Sequence, residues 1–372
     1  MNFYLLLAET AQAASSSAGY LVAFKNALFE VGRFLSHYLV GGMIPAFFIA
    51  GALGSFIPKE FILKYLGKNA SPWLSFPVSV IAGGILSVCS CGIIPLFVGI
   101  YTTGAGIGPA ISFLFAGPAI NLVAIFYTQA IISTEMMLVR TSAAAIGALV
   151  CGLIFKMLFT EPEQVDTIDL KIKTKETRTG LQTIGFMALL LFIMLVGSNP
   201  GKYLTLYMLV GIQIINLCLL LFLTKRWLNS AEIAGWLDKT WFLFKNIMPK
   251  IVIGIFATQF ILALVPVQSQ IIWLMERDDF SASFFASLIG SFVYFGTIVG
   301  VNIVHAFQQW GLGNGPALAL FLAGPVVSLP SLLPISGTLG IRRTAVYWLA
   351  VVLVSTLLGF SYAKLAPLFP AG

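Results

Sequence analysis

Residues 104–118 read Gly-Ala-Gly-Ile-Gly-Pro-Ala-Ile-Ser-Phe-Leu-Phe-Ala-Gly-Pro, and 207 positions later residues 311–325 read Gly-Leu-Gly-Asn-Gly-Pro-Ala-Leu-Ala-Leu-Phe-Leu-Ala-Gly-Pro. Eight of the fifteen aligned positions are identical without a gap, where unrelated sequences give about one and Gly/Ala-rich helices two or three. The pattern is that of a duplication. A looser match extends it. Gly83 falls on Gly290, Arg140-Thr141 lies near Arg343-Thr344 after a small shift, and Met43-Ile44-Pro45 resembles Ile247-Met248-Pro249.

The solvent of this chain is lipid. Of its 372 residues only 9% are charged and 59% are hydrophobic, with a mean hydropathy of +0.96. A water-soluble domain carries about 25% charged residues, which it needs to cover its outside. Disorder and fibrous repeats are excluded by the same composition. The net charge of +7 comes from 21 Lys and Arg against 14 Asp and Glu. These sit mostly in short loops, which argues against nucleic-acid binding and for charges that orient spans. Cys89, Cys91, Cys151 and Cys218 all lie in apolar stretches, so an extracellular disulfide framework is not expected. The apolar start, Met1 to Ala8, reads as retained rather than as a signal peptide, because no basic residue precedes it and Glu9 cuts it short.

A window of about 20 residues, the length needed to cross the hydrocarbon core, finds ten candidate spans. They lie near 34–57, 74–102, 108–132, 136–159, 181–197, 203–224, 247–266, 281–307, 315–336 and 344–366. The expected fold is an all-α polytopic membrane protein in two homologous repeats of about four spans. The first repeat is 1–160 and the second 233–372, joined by a charged loop and two linker spans over 161–232. Loops 160–180 and 225–246 carry the most Lys and Arg, which places them and both termini in the cytoplasm, although Lys59, Lys64, Lys68, Arg342 and Arg343 count against that orientation. Segments 20–33 and 233–246 mix apolar and charged residues and read as interfacial amphipathic helices.

Gly/Pro breaks at matching places in two halves point to a transporter's midplane site. In lipid such a break survives only against protein or a water-filled cavity, and it frees helix ends that can hold ions. Gly117 with Pro118, and Gly324 with Pro325, mark those breaks. The Gly-x-Gly-x-Gly spacing is not a nucleotide loop, since no strand precedes it. A second chemical signal is Cys89-Ser90-Cys91-Gly92-Ile93-Ile94-Pro95-Leu96. In a regular helix residues i and i+2 point about 200° apart, but unwinding at Gly92 and Pro95 would let both thiols face one cavity. Paired thiolates suit Cu(I), Zn(II) or trivalent arsenic. The competing reading is that each Cys simply packs as a small hydrophobe. The second half has Gly296 and Ile298 at the two thiol positions, so the duplication lends the pair no support.

The same run, followed by Ala116-Gly117-Pro118-Ala119-Ile120-Asn121, resembles the signature of the ArsP-type permeases, inner-membrane transporters that include exporters of trivalent organoarsenicals. The resemblance covers nearly the whole chain: length, charged central loop and two similar halves. It implies that Cys89, Ser90, Cys91, Gly92 and Pro95 belong to the conserved-looking core of the family, with Gly117, Pro118 and Asn121 opposite. It marks the fold more specifically than the substrate, because relatives are implicated in metal-ion export.

Polar residues inside spans are few. Asn121 and its repeat partner Ser328, Asn302, His305 and Gln308, His37 and Gln259 should face protein or water. Asn302 and His305 share one helix face before the second Gly-rich turn and are candidates to line the pathway with Asn121 and Ser328, while Arg140 and Arg343 should snorkel to the interface. No Asp or Glu falls inside a span, so the usual carboxylate proton relay is missing, and no Walker motif is present. The expectation is a non-enzymatic secondary transporter in the inner membrane, exporting a soft or hydrophobic toxicant, foremost a trivalent organoarsenical, by alternating access. It would need no cofactor or resident metal, bind no nucleic acid, and touch lipid and a small-molecule substrate; a homo-oligomer is compatible with it. A metal exporter of the same fold and an intramembrane thiol redox or sulfur-handling protein are the alternatives.

Overall fold

The computed structural model describes residues 24–25, 27–29, 31–32, 44–56, 64–67, 70–86, 90–159, 180–197, 206–264, 277–292 and 297–366. Among these no strand occurs, and fourteen helices of ten residues or more carry the fold. In chain order they are α1 (Ile44–Phe56), α2 (Pro72–Leu86), α3 (Ser90–Thr103), α4 (Ile107–Ala119), α5 (Leu122–Ile131), α6 (Thr134–Leu158) and α7 (Gly180–Gly197). There follow α8 (Leu206–Trp227), α9 (Ser230–Leu264), α10 (Phe280–Phe292), α11 (Thr297–Gln309), α12 (Asn314–Val326), α13 (Leu329–Leu339) and α14 (Ile341–Leu365).

The helix boundaries carry the 207-residue offset. It relates α4 to α12 and α6 to α14 at both ends, and α2, α3 and α5 to α10, α11 and α13 to within one residue. The connecting turns agree as well. Gly104 and Gly311 adopt positive φ (119° and 102°), which only glycine enters freely. Their N–H groups donate to the carbonyls of Tyr101 and Gln308, both at 3.1 Å. Two residues on, Gly106 and Gly313 open the next helix with φ near −60° and extended ψ.

Glycine also explains how the helices touch. A methyl on Gly152 would lie 2.7 Å from the Gly108 carbonyl oxygen, and one on Gly359 would lie 2.6 Å from the Gly315 carbonyl oxygen. These are the same contact in each half, α6 on α4 and α14 on α12. Likewise a methyl on Gly83 would meet the Gly117 nitrogen at 3.1 Å, and one on Gly290 the Gly324 nitrogen at 3.3 Å. Small residues let backbones approach where lipid offers no hydrophobic drive to associate. On α6 the division is visible: Ala144, Gly147, Ala148, Cys151 and Gly152 are buried, while Leu138, Ile146, Val150, Leu153 and Met157 are exposed.

Among the described residues three single helices are long and apolar enough to cross a membrane, Thr134–Leu158, Ser230–Ala257 and Ile341–Leu365, or up to five if each of two bent pairs counts as one span. The stretches expected as single spans at 74–102 and 281–307 are each divided between two helices, α2 with α3 and α10 with α11. The polar stretch 225–246 is not a loop either. Asn229 and Glu232 form a cap, with the Asn229 N–H donating to the Glu232 carboxylate at 2.9 Å, and α9 then runs 35 residues through the expected interfacial segment and past Pro249. No glycine-proline pair interrupts it, so the amphipathic piece and the apolar piece fuse. Within 20–33, the described residues 24–25, 27–29 and 31–32 are helical, with Phe24, Lys25, Leu28 and Phe29 exposed and Ala27 and Val31 buried. His37 lies outside the described residues, as do residues 160–179.

Just before α10 two acids serve as caps. Asp279 accepts from the Ala282 N–H at 2.7 Å and the Ser281 hydroxyl at 2.8 Å, which together hold its carboxyl below the usual range. A lowered folded-state pKa means that this cap stabilises above the unfolded value and is lost as pH falls through the folded one. Asp278 accepts from the Gly315 N–H at 2.8 Å and so caps α12 from a different connection.

The close approaches predict opposite signs for one chemical change. Gly359→Ala should destabilise by about 1–3 kcal/mol, because its methyl must displace backbone. Gly211→Ala, in α8 with nothing within 4 Å of the new methyl, should stabilise by roughly 0.5–1 kcal/mol. Thermal unfolding of the two variants in detergent checks both.

Candidate functional site

Each Ala-Gly-Pro sits at the end of a helix, and the break follows one residue after the helix closes. In the first half α4 includes Gly117 and Pro118 and stops at Ala119; the Ile120 N–H still donates to Ala116 at 2.8 Å. Asn121 is extended, and its Oδ1 accepts from the Ala124 N–H at 3.1 Å, starting α5. In the second half α12 includes Gly324 and Pro325 and stops at Val326, with the Val327 N–H donating to Ala323 at 2.9 Å. Ser328 then opens α13, its N–H donating to the Ser331 hydroxyl at 2.9 Å. The helix directions change by 42° at the first break and by 51° at the second. Asn121 and Ser328, the residues expected along the pathway, are the N-caps that let a new helix begin inside the protein.

Gly92 and Pro95 behave differently from expectation. Helix α3 starts at Ser90 and runs through both without unwinding. Pro95 falls in the second turn, where its missing N–H forfeits one bond and few residues precede it to be displaced. Ser90 is buried, Cys91 is described through its backbone in α3, and Cys89 lies outside the described residues. The motif is nevertheless next to the first break. A methyl on Gly117 would lie 2.5 Å from Ile93 Cδ1, so the start of α3 is seated on Ala116–Pro118.

The two halves cross at this level. Helix α5 packs on α11 and α13 packs on α3, while α4 meets α12 and α6 meets α14. The Tyr127 hydroxyl on α5 donates to Asn302 Oδ1 on α11 at 2.9 Å. Asn302 is exposed and His305, on the same helix, is partly buried. Gln308 donates to Asn314 Oδ1 at 3.1 Å, tying α11 to the start of α12. The structure sets Ile93 of α3 against Gly117, and joins Asn302 to α5 through Tyr127. The Gln259 side chain lies outside what is described.

Sequence reasoning missed Arg140. Placed near a span end, it was expected to snorkel, but it is 1% exposed and enclosed by α5, α6 and α12. Its Nη1 donates to Thr128 Oγ1 at 2.8 Å, and the guanidinium carbon stands 4.5 Å over the Phe321 ring. Thr128 Oγ1 donates in turn to the Ala124 carbonyl at 2.6 Å. One face of α5 thereby carries a polar track from the Asn121 cap to Arg140. The unbroken 207-residue offset between α6 and α14 sets Tyr347, not Arg343, at the position of Arg140. Arg343 instead stacks over Phe159 at 5.3 Å. The available signal was position: Arg140 is a full turn beyond the first residue of a 25-residue apolar helix. Cys151 is buried and Cys218 exposed, neither beside the breaks. No cluster of three or more His, Cys, Asp or Glu able to hold a metal occurs among the described residues.

The family described as predicted permease, ArsP_1, matches residues 35–363. The UPF0718 protein MJ0584 of Methanocaldococcus jannaschii is 37% identical over 328 residues, covering 86% of this chain and 90% of that protein. The chain belongs to this permease family. The permease is also similar to the UPF0718 protein YcgR of Bacillus subtilis, 25% identical over 115 residues, 30% of the chain and 38% of that protein. No solved structure matches it. Family and apolar helices together make the chain a multi-pass membrane protein.

The cap at Asn121 separates two roles by measurement. Asn121→Ala should lower stability by about 1 kcal/mol, and Asn121→Ser should restore most of it because serine caps as well. If the restored variant transports at the wild-type rate, Asn121 acts as a cap; lost transport at restored stability identifies a substrate contact.

Proposed function

We propose that the permease is a secondary transporter of about ten spans in two homologous repeats, 1–160 and 233–372, joined by 161–232, and that it exports a soft or hydrophobic toxicant by alternating access. The observation that carries this reading is the pair of bent helices, α4–α5 and α12–α13, broken after Ala-Gly-Pro at positions 207 apart. Bends of 42° and 51° fall far short of the reversal in a re-entrant hairpin, which supports one broken span per pair. Each post-break helix packs on the other half, so rocking one half moves both breaks together.

A trivalent organoarsenical is the leading substrate. Its apolar group suits a cavity lined by aliphatic residues, and after losing its hydroxyls it needs at most two thiolates, the number that Cys89 and Cys91 supply. Inorganic arsenite prefers three sulfur ligands. A hydrated metal ion needs more polar or anionic ligands than these spans hold. Metal export would further be expected to use His-, Cys- or Met-rich loops, and residues 160–180 contain none of the three. The site residues in this reading are Cys89, Ser90, Cys91, Asn121, Asn302, His305 and Ser328, with Gly117, Pro118, Gly324 and Pro325 shaping the breaks.

Counterflow in everted inner-membrane vesicles with methylarsenite, inorganic arsenite, Zn(II) and Cu(I) side by side tests the substrate. Methylarsenite should move fastest, and Cys89→Ser or Cys91→Ser should abolish its movement in a folded protein. Movement of Zn(II) or Cu(I) without arsenicals would replace the substrate assignment and keep the transporter; full arsenical resistance from the double Cys variant would show that the thiols only pack. Pro118→Ala and Pro325→Ala should each slow transport of any substrate by straightening a break. Wild-type rates in both would make these prolines ordinary kinks.

A further inference from the structure

We propose that Arg140 holds a small monovalent inorganic anion inside the helix bundle, at a site assembled from both halves of the chain. The guanidinium is sealed from solvent, with 1% of the residue exposed. Its contacts are Thr128 Oγ1 from α5 at 2.8 Å and the face of Phe321 from α12 at 4.5 Å. Nε and Nη2 are buried and have no hydrogen-bond partner among the described residues. Among the described residues nothing accepts from these three N–H bonds of a permanent cation.

The described acids are engaged elsewhere or lie at the surface. Glu135 accepts from the Tyr362 hydroxyl at 2.8 Å, Glu232 from Asn229, Asp278 from Gly315 and Asp279 from Ala282, while Asp238 is exposed on α9. Arginine cannot shed its proton to escape the cost of burial as a lysine or carboxyl can. One hydroxyl and one ring face offset only part of burying a full charge, and the carbonyls closing the last turn of α5 add a fraction of a charge without accepting from Nε or Nη2. An anion accepting from both Nε and Nη2 supplies the missing charge and the missing acceptor together. The paired position in the other half repeats the pattern in neutral form: Tyr347 is fully buried, and its hydroxyl also has no partner among the described residues.

Burial of the whole guanidinium limits the occupant to a few atoms, and one guanidinium balances one charge. Chloride is the probe of choice. The proposal goes beyond the transport reading, because a chain without carboxylates inside its spans gains in this anion a charged species that both halves hold in common.

The test is an equilibrium measurement without arsenical. Purified full-length protein in detergent is titrated from sodium gluconate into sodium chloride at constant ionic strength, with melting temperature and tryptophan fluorescence as readouts, and the titration is repeated with nitrate and bicarbonate. Wild type should show a saturable rise with chloride. Arg140→Lys keeps the charge and loses the fork, and should raise the half-saturating concentration about tenfold; Arg140→Gln should not respond. A wild-type protein indifferent to all three anions overturns the proposal, whether or not the variants fold, as does Arg140→Gln responding like wild type. Chloride binding with no arsenical movement would leave this site standing and remove the substrate assignment; arsenical movement with no anion response would do the reverse.

Discussion

In hydrocarbon every backbone N–H and C=O must find a partner within the protein, because each one left bare costs several kcal/mol. A helix interrupted inside the bundle is affordable only if the interruption is closed on both sides. At the first break the preceding helix ends on the Ile120 to Ala116 bond and the next begins on the Asn121 side chain; at the second the Val327 to Ala323 bond and Ser328 with Ser331 do the same work. The rest of the architecture keeps those caps out of lipid. The backbone contacts of Gly108 with Gly152, and of Gly315 with Gly359, draw a full-length helix against the pre-break segment in each half. The shorter post-break helices are then covered by α11 and α3 of the opposite half.

Two kinds of glycine serve this arrangement for different reasons. Gly104 and Gly311 turn the chain through positive φ before each broken helix. Gly83, Gly108, Gly152 and their counterparts sit in ordinary helical conformation and are required by what lies opposite them. Both kinds recur at the same offset, so the duplicated feature is a packing scheme as much as a string of residues. That explains why the match is dense over residues 104–118 and sparse elsewhere: positions facing lipid need only be apolar, and one apolar residue replaces another freely there.

The sequence made legible what depends on composition and on glycine and proline: the lipid solvent, the duplication and the location of the breaks. It did not disclose where helices end within an apolar run, because hydropathy is blind to a cap. Thus 74–102 looked like one span although α2 ends at Leu86 and α3 begins at Ser90. Proline was an imperfect guide for the same reason. Pro118 and Pro325 lie one residue from a helix end, whereas Pro95 and Pro249 are absorbed inside α3 and α9. Arg140 was misread because its position along the helix is compatible with snorkelling, and only the packing of α5 and α12 around it closes that route. The small shift that aligned Arg140 with Arg343 followed residue identity; the helix boundaries, which answer to packing, align it with Tyr347.

The two halves share a skeleton and differ in chemistry. Where the first half has Cys89 and Cys91 the second has Gly296 and Ile298; where it has Arg140 the second has Tyr347; where it caps with an amide at Asn121 the second caps with a hydroxyl at Ser328. Matched breaks allow both halves to move in a concerted way, which needs geometry alone. Recognition needs particular atoms, and the thiols and the guanidinium are confined to the first half. The second half contributes surfaces rather than charges: the Phe321 ring beneath Arg140 and the Asn302 amide that receives Tyr127. A displacement of the second half relative to the first would therefore change the surroundings of Arg140 and Tyr127 without altering either side chain, because their partners Phe321 and Asn302 belong to the other half.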